Sequence, residues 1–452
     1  MWDTNGGVYF GYGCDRTEGP PPGLQNPLRY VGDRHVMTIG PNGSGKSRRL
    51  LLPNLAQLTG WSVLVVDPKG ELAYMTAKYR DPALQNTVLL NPFGVLDLPS
   101  HGFNPVAALD PDSPDFPDDV LGLAEAMIRV EGREPHWSAS AQDLVAALIM
   151  YSRLTQDDGG SLAHVRECLG RPYDKFRDMV ERMLTIAGDK HCEELAIKAG
   201  RYAEIDPESR ELNAVLSTAL TQTRWLDSRP VKADLEKNGA FDFSVMKERP
   251  TTVYLILPAR RIGTHATWLR LMIASIIQPL MRDTRKAKVP VMLMLDEFYA
   301  LAEGGFPVIE KNMAMFRGYG IKLWTVWQDL AQAQKLYGDG YESFVANCGV
   351  LQAFAPQDVI TSEYLSKRTG LTGVQLQAYS RTLNTNPGKP TSRSESTNVN
   401  LQPIPQVLPQ DLRNMDDGFS VMFTHKTKNT VRGYMPFRVP GLEPVYRLDP
   451  AT

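Results

Sequence analysis

Cysteine is scarce in this chain of 452 residues: Cys14, Cys168, Cys192 and Cys348 stand far apart, and no C-x-x-C pair occurs. That usage argues against a disulfide framework or a zinc site and fits a reducing compartment. The 7 histidines show no ligand spacing either. Neither charge sign dominates, with 49 Lys and Arg against 51 Asp and Glu. A net charge of −2 gives no global electrostatic pull towards nucleic acid, so any DNA contact has to come from a local basic patch. Long apolar runs are missing. The longest candidate, 268–281, is interrupted by Arg270 and Gln278 and reads as a core helix rather than a membrane span. The start, Met1-Trp2-Asp3-Thr4, lacks the basic and apolar pattern of a secretory signal. No internal repeat is visible.

What is present is a phosphate loop. Gly40-Pro41-Asn42-Gly43-Ser44-Gly45-Lys46-Ser47 fits G-x-x-x-x-G-K-[ST] completely and lies between an apolar run and an apolar-periodic one. Strand, glycine turn and helix is the context in which backbone N–H groups curl around phosphate oxygens, with the helix dipole adding to the same anion. In this pattern Gly40, Asn42, Gly43, Ser44 and Gly45 form the cradle, Lys46 reaches the β- and γ-phosphates, and the Ser47 hydroxyl ligates Mg²⁺.

The length implies two or more domains. Residues 1–33 read as irregular. From 34 to 93 strand and helix alternate: strands at 34–40, 61–67 and 87–93, helices at 46–59 and 71–79. This is the rhythm of an α/β fold with a mainly parallel, twisted sheet. The acidic, proline-broken stretch 110–119 reads as a linker, and 110–226 shows helical periodicity only. The sheet pattern resumes with strands at 251–258, 289–295, 321–327 and 350–354 and helices at 266–285, 309–317 and 330–337. A last pair of strands is expected at about 419–424 and 430–437. The expected division is therefore an α/β nucleotide-binding domain at 1–109 and 227–452, interrupted by an all-α domain at 110–226. The Ser/Thr/Asn/Pro-rich stretch 381–400 is expected as a mobile loop.

A phosphate loop alone names no reaction. The discriminating segment is Val291-Met292-Leu293-Met294-Leu295-Asp296-Glu297, a fully apolar strand that delivers two carboxylates to its C-terminal end. Asp296 is placed to hold Mg²⁺ and Glu297 to orient and polarise an attacking water. A carboxylate there also suits a helix cap, but the upstream loop favours the catalytic role. Gln328 ends the apolar strand 321–327; read alone, it is either a γ-phosphate sensor or a helix-starting surface residue. Arg317, in Phe316-Arg317-Gly318-Tyr319-Gly320, is read alone as a solvated arginine, with an arginine finger as the alternative. Asp67-Pro68-Lys69-Gly70-Glu71 is a turn at a strand end whose charges stand near the nucleotide or the Mg²⁺ shell.

Together with Asn91-Pro92-Phe93, Phe103-Asn104-Pro105, Leu336-Tyr337-Gly338, Asn347-Cys348-Gly349 and Glu363-Tyr364-Leu365-Ser366, these motifs resemble the type IV secretion coupling proteins, the TraG/TraD kind of conjugative DNA-transfer ATPase. The resemblance runs from about residue 30 to the C-terminus. It implies a RecA-like P-loop NTPase domain interrupted by an all-α domain, with ATP and Mg²⁺ as ligands. It also implies self-association into a ring, hexameric when active, that feeds relaxase-bound single-stranded DNA or secreted effector proteins to the channel components of a type IV secretion system. By the same resemblance Lys46 and Ser47 bind nucleotide and Mg²⁺, Asp296 and Glu297 form the Walker B pair, Gln328 is the glutamine motif, and Arg317 is the arginine finger. Asn42 replaces the usual Thr of the loop. Typical members begin with two transmembrane helices, which are not seen here, so the expected place is the cytoplasmic face of the bacterial inner membrane. Alternatives are a substrate-docking receptor with slow ATPase, selecting proteins through the helical domain, and a double-stranded DNA translocase of the FtsK/HerA kind. Arg260, Arg261, Arg282, Arg285, Lys286 and Lys288 are the basic residues available to a channel lining.

Overall fold

A computed structural model describes residues 6–450 apart from 15–22, 26, 131–134, 204, 207–208, 238–240, 304, 385–386, 388–391 and 426–429. The central strands are near-continuous Val, Leu, Ile and Met, as expected of strands covered on both faces. In chain order they are β1 (Val8–Gly13), β2 (Pro27–Tyr30), β3 (His35–Ile39), β4 (Ser62–Val66), β5 (Asn86–Leu90), β6 (Thr251–Leu255), β7 (Val291–Leu295), β8 (Ile321–Trp327) and β9 (Cys348–Phe354). Four more follow: β10 (Leu371–Asn384), β11 (Ser392–Pro405), β12 (Phe419–Thr424) and β13 (Val431–Tyr434). Eleven of them make one sheet in the order β2-β1-β13-β12-β9-β3-β8-β7-β4-β6-β5. From β9 to β5 all pairs are parallel, and β12, β13, β1 and β2 extend it antiparallel. The register across the centre sets Ile39 beside Trp327 on one flank and Ala353 on the other.

Alternation along each strand sends side chains to two cores. Val36, Val65, Met294 and Trp324 pack against α1 (Leu52–Gln57), α2 (Glu71–Thr76) and β1. Met37, Ile39, Leu64 and Leu295 face the other way, into a core continued by α3 (Phe116–Met127), α4 (Pro135–Thr155), α5 (Leu162–Leu169), α6 (Tyr173–Asp189), α7 (Glu193–Ala203), α8 (Arg210–Thr223), α9 (Arg229–Leu235) and α10 (Ala259–Arg282). Between β5 and β6 the described residues form helices and no strand.

Two expectations need correction, and one expected helix differs in kind. Residues 1–33 are not all irregular: β1 and β2 extend the sheet, with Val8, Tyr9 and Phe10 buried and Asn54 bridging the Tyr9 N–H (2.7 Å) and carbonyl (2.9 Å). β1 pairs with β13 at the far end of the chain, a contact no local pattern announces. The stretch 381–400, expected as a loop, is paired strand over 381–384 and 392–400, in a 14-residue-long antiparallel ribbon. Its described residues are almost all exposed, so no buried face pins its register. Residues 385–386 and 388–391 lie outside the described residues. Finally, the helix after the phosphate loop opens with a π-helical turn, Lys46–Leu51, in which the Leu52 N–H bonds the Ser47 carbonyl. Pro53, with no N–H to give, stands where the regular ladder would need one.

Candidate active site

Parallel strands put all their C-terminal ends on one edge, and four loops meet there. The Gly40–Ser47 loop follows β3, Asp67–Gly70 follows β4, Asp296-Glu297 follows β7 and Gln328 follows β8. The first three, with the start of α10, enclose a cleft of about 660 Å³ lined by Asn42, Gly43, Lys46, Ser47, Asp67, Asp296 and Glu297 among others.

The loop is built for an anion. Gly43 (φ 82°) and Gly45 (φ 78°) hold left-handed backbone that L side chains avoid. A Cβ on Gly40 would sit 2.9 Å from Ser44 Oγ and 3.3 Å from the Lys46 side chain. Ser44 Oγ is buried without a hydrogen-bond partner, packed beside Gly40. The Lys46 ammonium donates to the carbonyls of Gly40 and Pro41 (3.0 Å), folded onto its own loop. Burial lowers its pKa, against the pull of Asp296 and Glu297. The glycine turn, the Ser44 hydroxyl and the Lys46 ammonium are donors that a triphosphate fits.

Opposite lie the carboxylates. Burial pushes the Asp296 carboxyl up to about 6, with Glu297 adding to the rise and the Glu297 N–H opposing it through a 3.0 Å bond to Oδ1. Asp67 is pushed up to about 7, again by burial first, although its Oδ2 accepts from the Ala73 N–H at 2.8 Å. Buried carboxylates beside the loop hydroxyl of Ser47 are hard oxygen ligands suited to Mg²⁺.

Glu297 takes a left-handed conformation (φ 51°) that non-glycine residues seldom adopt, and its neighbours hold it there. The constraint is visible. Phe298, the next residue, packs on Trp327 with ring centroids 4.9 Å apart, and Trp327 immediately precedes Gln328. That contact holds the two polar neighbours together, so that Gln328 Nε2 donates to Glu297 Oε2 at 3.3 Å. Gln328 is thus at the site; the helix-starting role belongs to Asp329, which caps Leu330–Tyr337 by accepting from the Gln332 N–H.

Arg317 is not brought to this edge. It precedes β8, at the opposite end of the strand, and bonds Asp33 Oδ2 at 2.6 Å. Of the basic residues considered for a channel, Arg282 pairs with Asp115 and Asp119, Arg285 with Asp283, and Lys288 with Glu248.

Sequence reasoning missed Arg48, Arg49 and Phe437. Arg49 donates to the Met435 carbonyl (2.9 Å) and to Asp417 (3.2 Å), tying the first turn after the loop to the chain's last strand. Phe437 lines the cleft. The signal for the arginines was their place directly after Ser47; for Phe437 no sequence signal exists.

Among the described residues no helix is long and apolar enough to cross a membrane. The profile of the family described as type IV secretory system conjugative DNA transfer matches residues 7–433. The conjugal transfer protein TraG of Escherichia coli is 27% identical over 391 residues, covering 82% of this chain and 60% of that protein. Protein VirD4 of Agrobacterium fabrum (strain C58) is 25% identical over 422 residues, covering 90% and 58%. The chain thus spans about three fifths of the length of these curated relatives. Among solved structures, the plasmid coupling protein TrwB in complex with ADP and Mg²⁺ superposes with a TM-score of 0.67 at 15% identity, covering 95% of this chain and 92% of that one. Likeness at that identity establishes the fold, a RecA-like P-loop NTPase with added helices. With nearly its whole length matched, the chain belongs to the type IV secretion coupling proteins, the conjugative DNA transfer family.

Proposed function

We propose that the chain is an ATP-hydrolysing motor that recruits relaxase-bound single-stranded DNA, or secreted effector proteins, and drives them to a type IV secretion channel. The observation that carries this reading is the convergence of Lys46, Asp296, Glu297 and Gln328 on one edge of a parallel sheet. The backbone of Asn42–Gly45, Lys46 and Ser47 hold the triphosphate; Ser47 and Asp296 hold Mg²⁺. The cation, when bound, neutralises charge on the terminal phosphates. Glu297 orients the attacking water and takes its proton, and Gln328, bonded to Glu297, senses whether the γ-phosphate is present.

Arg317, remote from its own cleft, is assigned to a neighbour's nucleotide within a ring of six copies, with the Asp33 pair released on assembly. The helices of 110–226 form the unit that meets cargo, and the working place is the cytoplasmic face of the inner membrane. The test is ATP hydrolysis with and without single-stranded DNA at low salt and several protein concentrations. Turnover should rise with DNA and vanish in Lys46→Ala. An oligomer whose turnover ignores DNA would overturn the motor reading.

A further inference from the structure

The cleft has a second end. β12 runs antiparallel to β9 and β13 antiparallel to β12, so β13 points the same way as β3. Its C-terminal end therefore emerges on the edge that carries the phosphate loop. The carboxylates come from β7, on one flank of β3; the chain leaving β13 arrives on the other flank. The loop sits between a hydrolytic end and an end that the reaction does not use.

At that second end stands Phe437. It is the one aromatic among the described residues lining the cleft, and it is 46% exposed in a molecule whose other phenylalanines are largely buried. An exposed ring is ordinarily free to move, but this one is held. The guanidinium carbons of Arg48 and Arg49 lie 5.6 and 5.4 Å from its centroid, at cation–π distance. Arg49 is fixed in turn on the Met435 carbonyl and Asp417, and Arg48 is paired with Asp449. The fit is close, since a Cβ on Gly418 would lie 2.6 Å from the Met435 carbonyl oxygen and 2.7 Å from Arg49 Nη1. The two residues directly after Ser47 thus fasten a flat apolar surface to the rim of the phosphate cradle.

We infer that Phe437 is the platform on which the base of the bound nucleoside triphosphate stacks, with Arg49 as its positioning residue. This rests on the nucleotide reading of the cleft. The substrate then spans the loop from carboxylates to ring: phosphates on Lys46 and Ser47, base on Phe437. Every nucleobase has a π-face, so the platform grips a nucleotide without reading the edge of its base.

The inference predicts a loss confined to ligands that carry a base. Calorimetric titration of the full chain with ATP and with inorganic tripolyphosphate separates the two. In Phe437→Ala, ATP should bind about ten-fold more weakly, in the range stacking supplies, while tripolyphosphate binding stays unchanged. Phe437→Trp should restore ATP affinity and add a tryptophan emission, measured against wild type, that ATP quenches and tripolyphosphate does not. Equal weakening of both ligands, or unchanged ATP affinity in Phe437→Ala, would overturn the assignment. If instead Lys46→Ala bound both ligands as wild type does, the nucleotide reading itself would fail, a result distinct from either.

Discussion

Replacing Asp67 by Asn should change how stability depends on pH, with a predictable sign. Asp67 is 2% exposed, and burial lifts its carboxyl from an ordinary 3.8 to about 7, with the Asp296 carboxylate adding to the rise. Because the folded value exceeds the unfolded one, the folded state binds the proton more tightly. The stability linked to this group is complete below pH 4 and is lost as pH rises through about 7. Each tenfold difference in proton affinity between the folded and unfolded chain is worth about 1.4 kcal/mol, so wild type should lose about 3 kcal/mol from this source between pH 5 and pH 8. Asn cannot ionise, yet its amide oxygen still accepts from the Ala73 N–H, so the turn survives. Urea unfolding of the nucleotide-free proteins at pH 5, 6, 7 and 8 gives the difference directly. The variant should gain on wild type steadily across the series. Parallel profiles would mean that Asp67 ionises as an exposed carboxyl does, and the account of the buried cleft would be wrong.

Three further outcomes follow from the same geometry. Glu297→Gln keeps the Gln328 contact and the nucleotide cradle, so ATP affinity should hold while turnover falls by about 10²- to 10⁴-fold; a drop in affinity instead would move Glu297 from chemistry to binding. Arg317→Ala should leave nucleotide affinity untouched but reduce turnover by about 10³-fold at protein concentrations where wild type assembles, and full activity in the assembled variant would remove the neighbour's role. Gly418→Ala, at φ 86° and with no room beside Met435 and Arg49, should lower stability by about 2 kcal/mol, visible as a lower urea midpoint; an unchanged midpoint would show that a Cβ is accommodated there.

Legibility in the sequence followed the range of the interaction. The phosphate loop and the β7 carboxylates were readable because the strand, turn and charge lie within a few residues of one another. The central strands, apolar throughout, were equally plain. Gln328 stood open between two roles, because its partner Glu297 is 31 residues away and only the Phe298–Trp327 contact brings them together. β1 escaped notice since its glycines break the pattern and its partner is β13. The ribbon of β10 and β11 was read as a loop over 381–400 because Ser, Thr and Asn dominate there, and the short alternations Val374–Ala378 and Val399–Leu401 that flank it cover no core. Phe437 was illegible for a plainer reason: a phenylalanine near a chain's end looks like core until the topology shows which edge it reaches.

The placement of β3 bears on how the protein comes into being. Its sheet partners are β8 and β9, so Val36 waits for Trp324 and Val350 before its backbone is paired. Contacts of such sequence separation form slowly, because a long loop must close before they are made. During synthesis the phosphate loop therefore stays unbuilt until β8 and β9, encoded far downstream of it, have been made. The helices encoded in between are free to pack first. Binding competence arrives last, as a property of the finished sheet rather than of the motif that announces it.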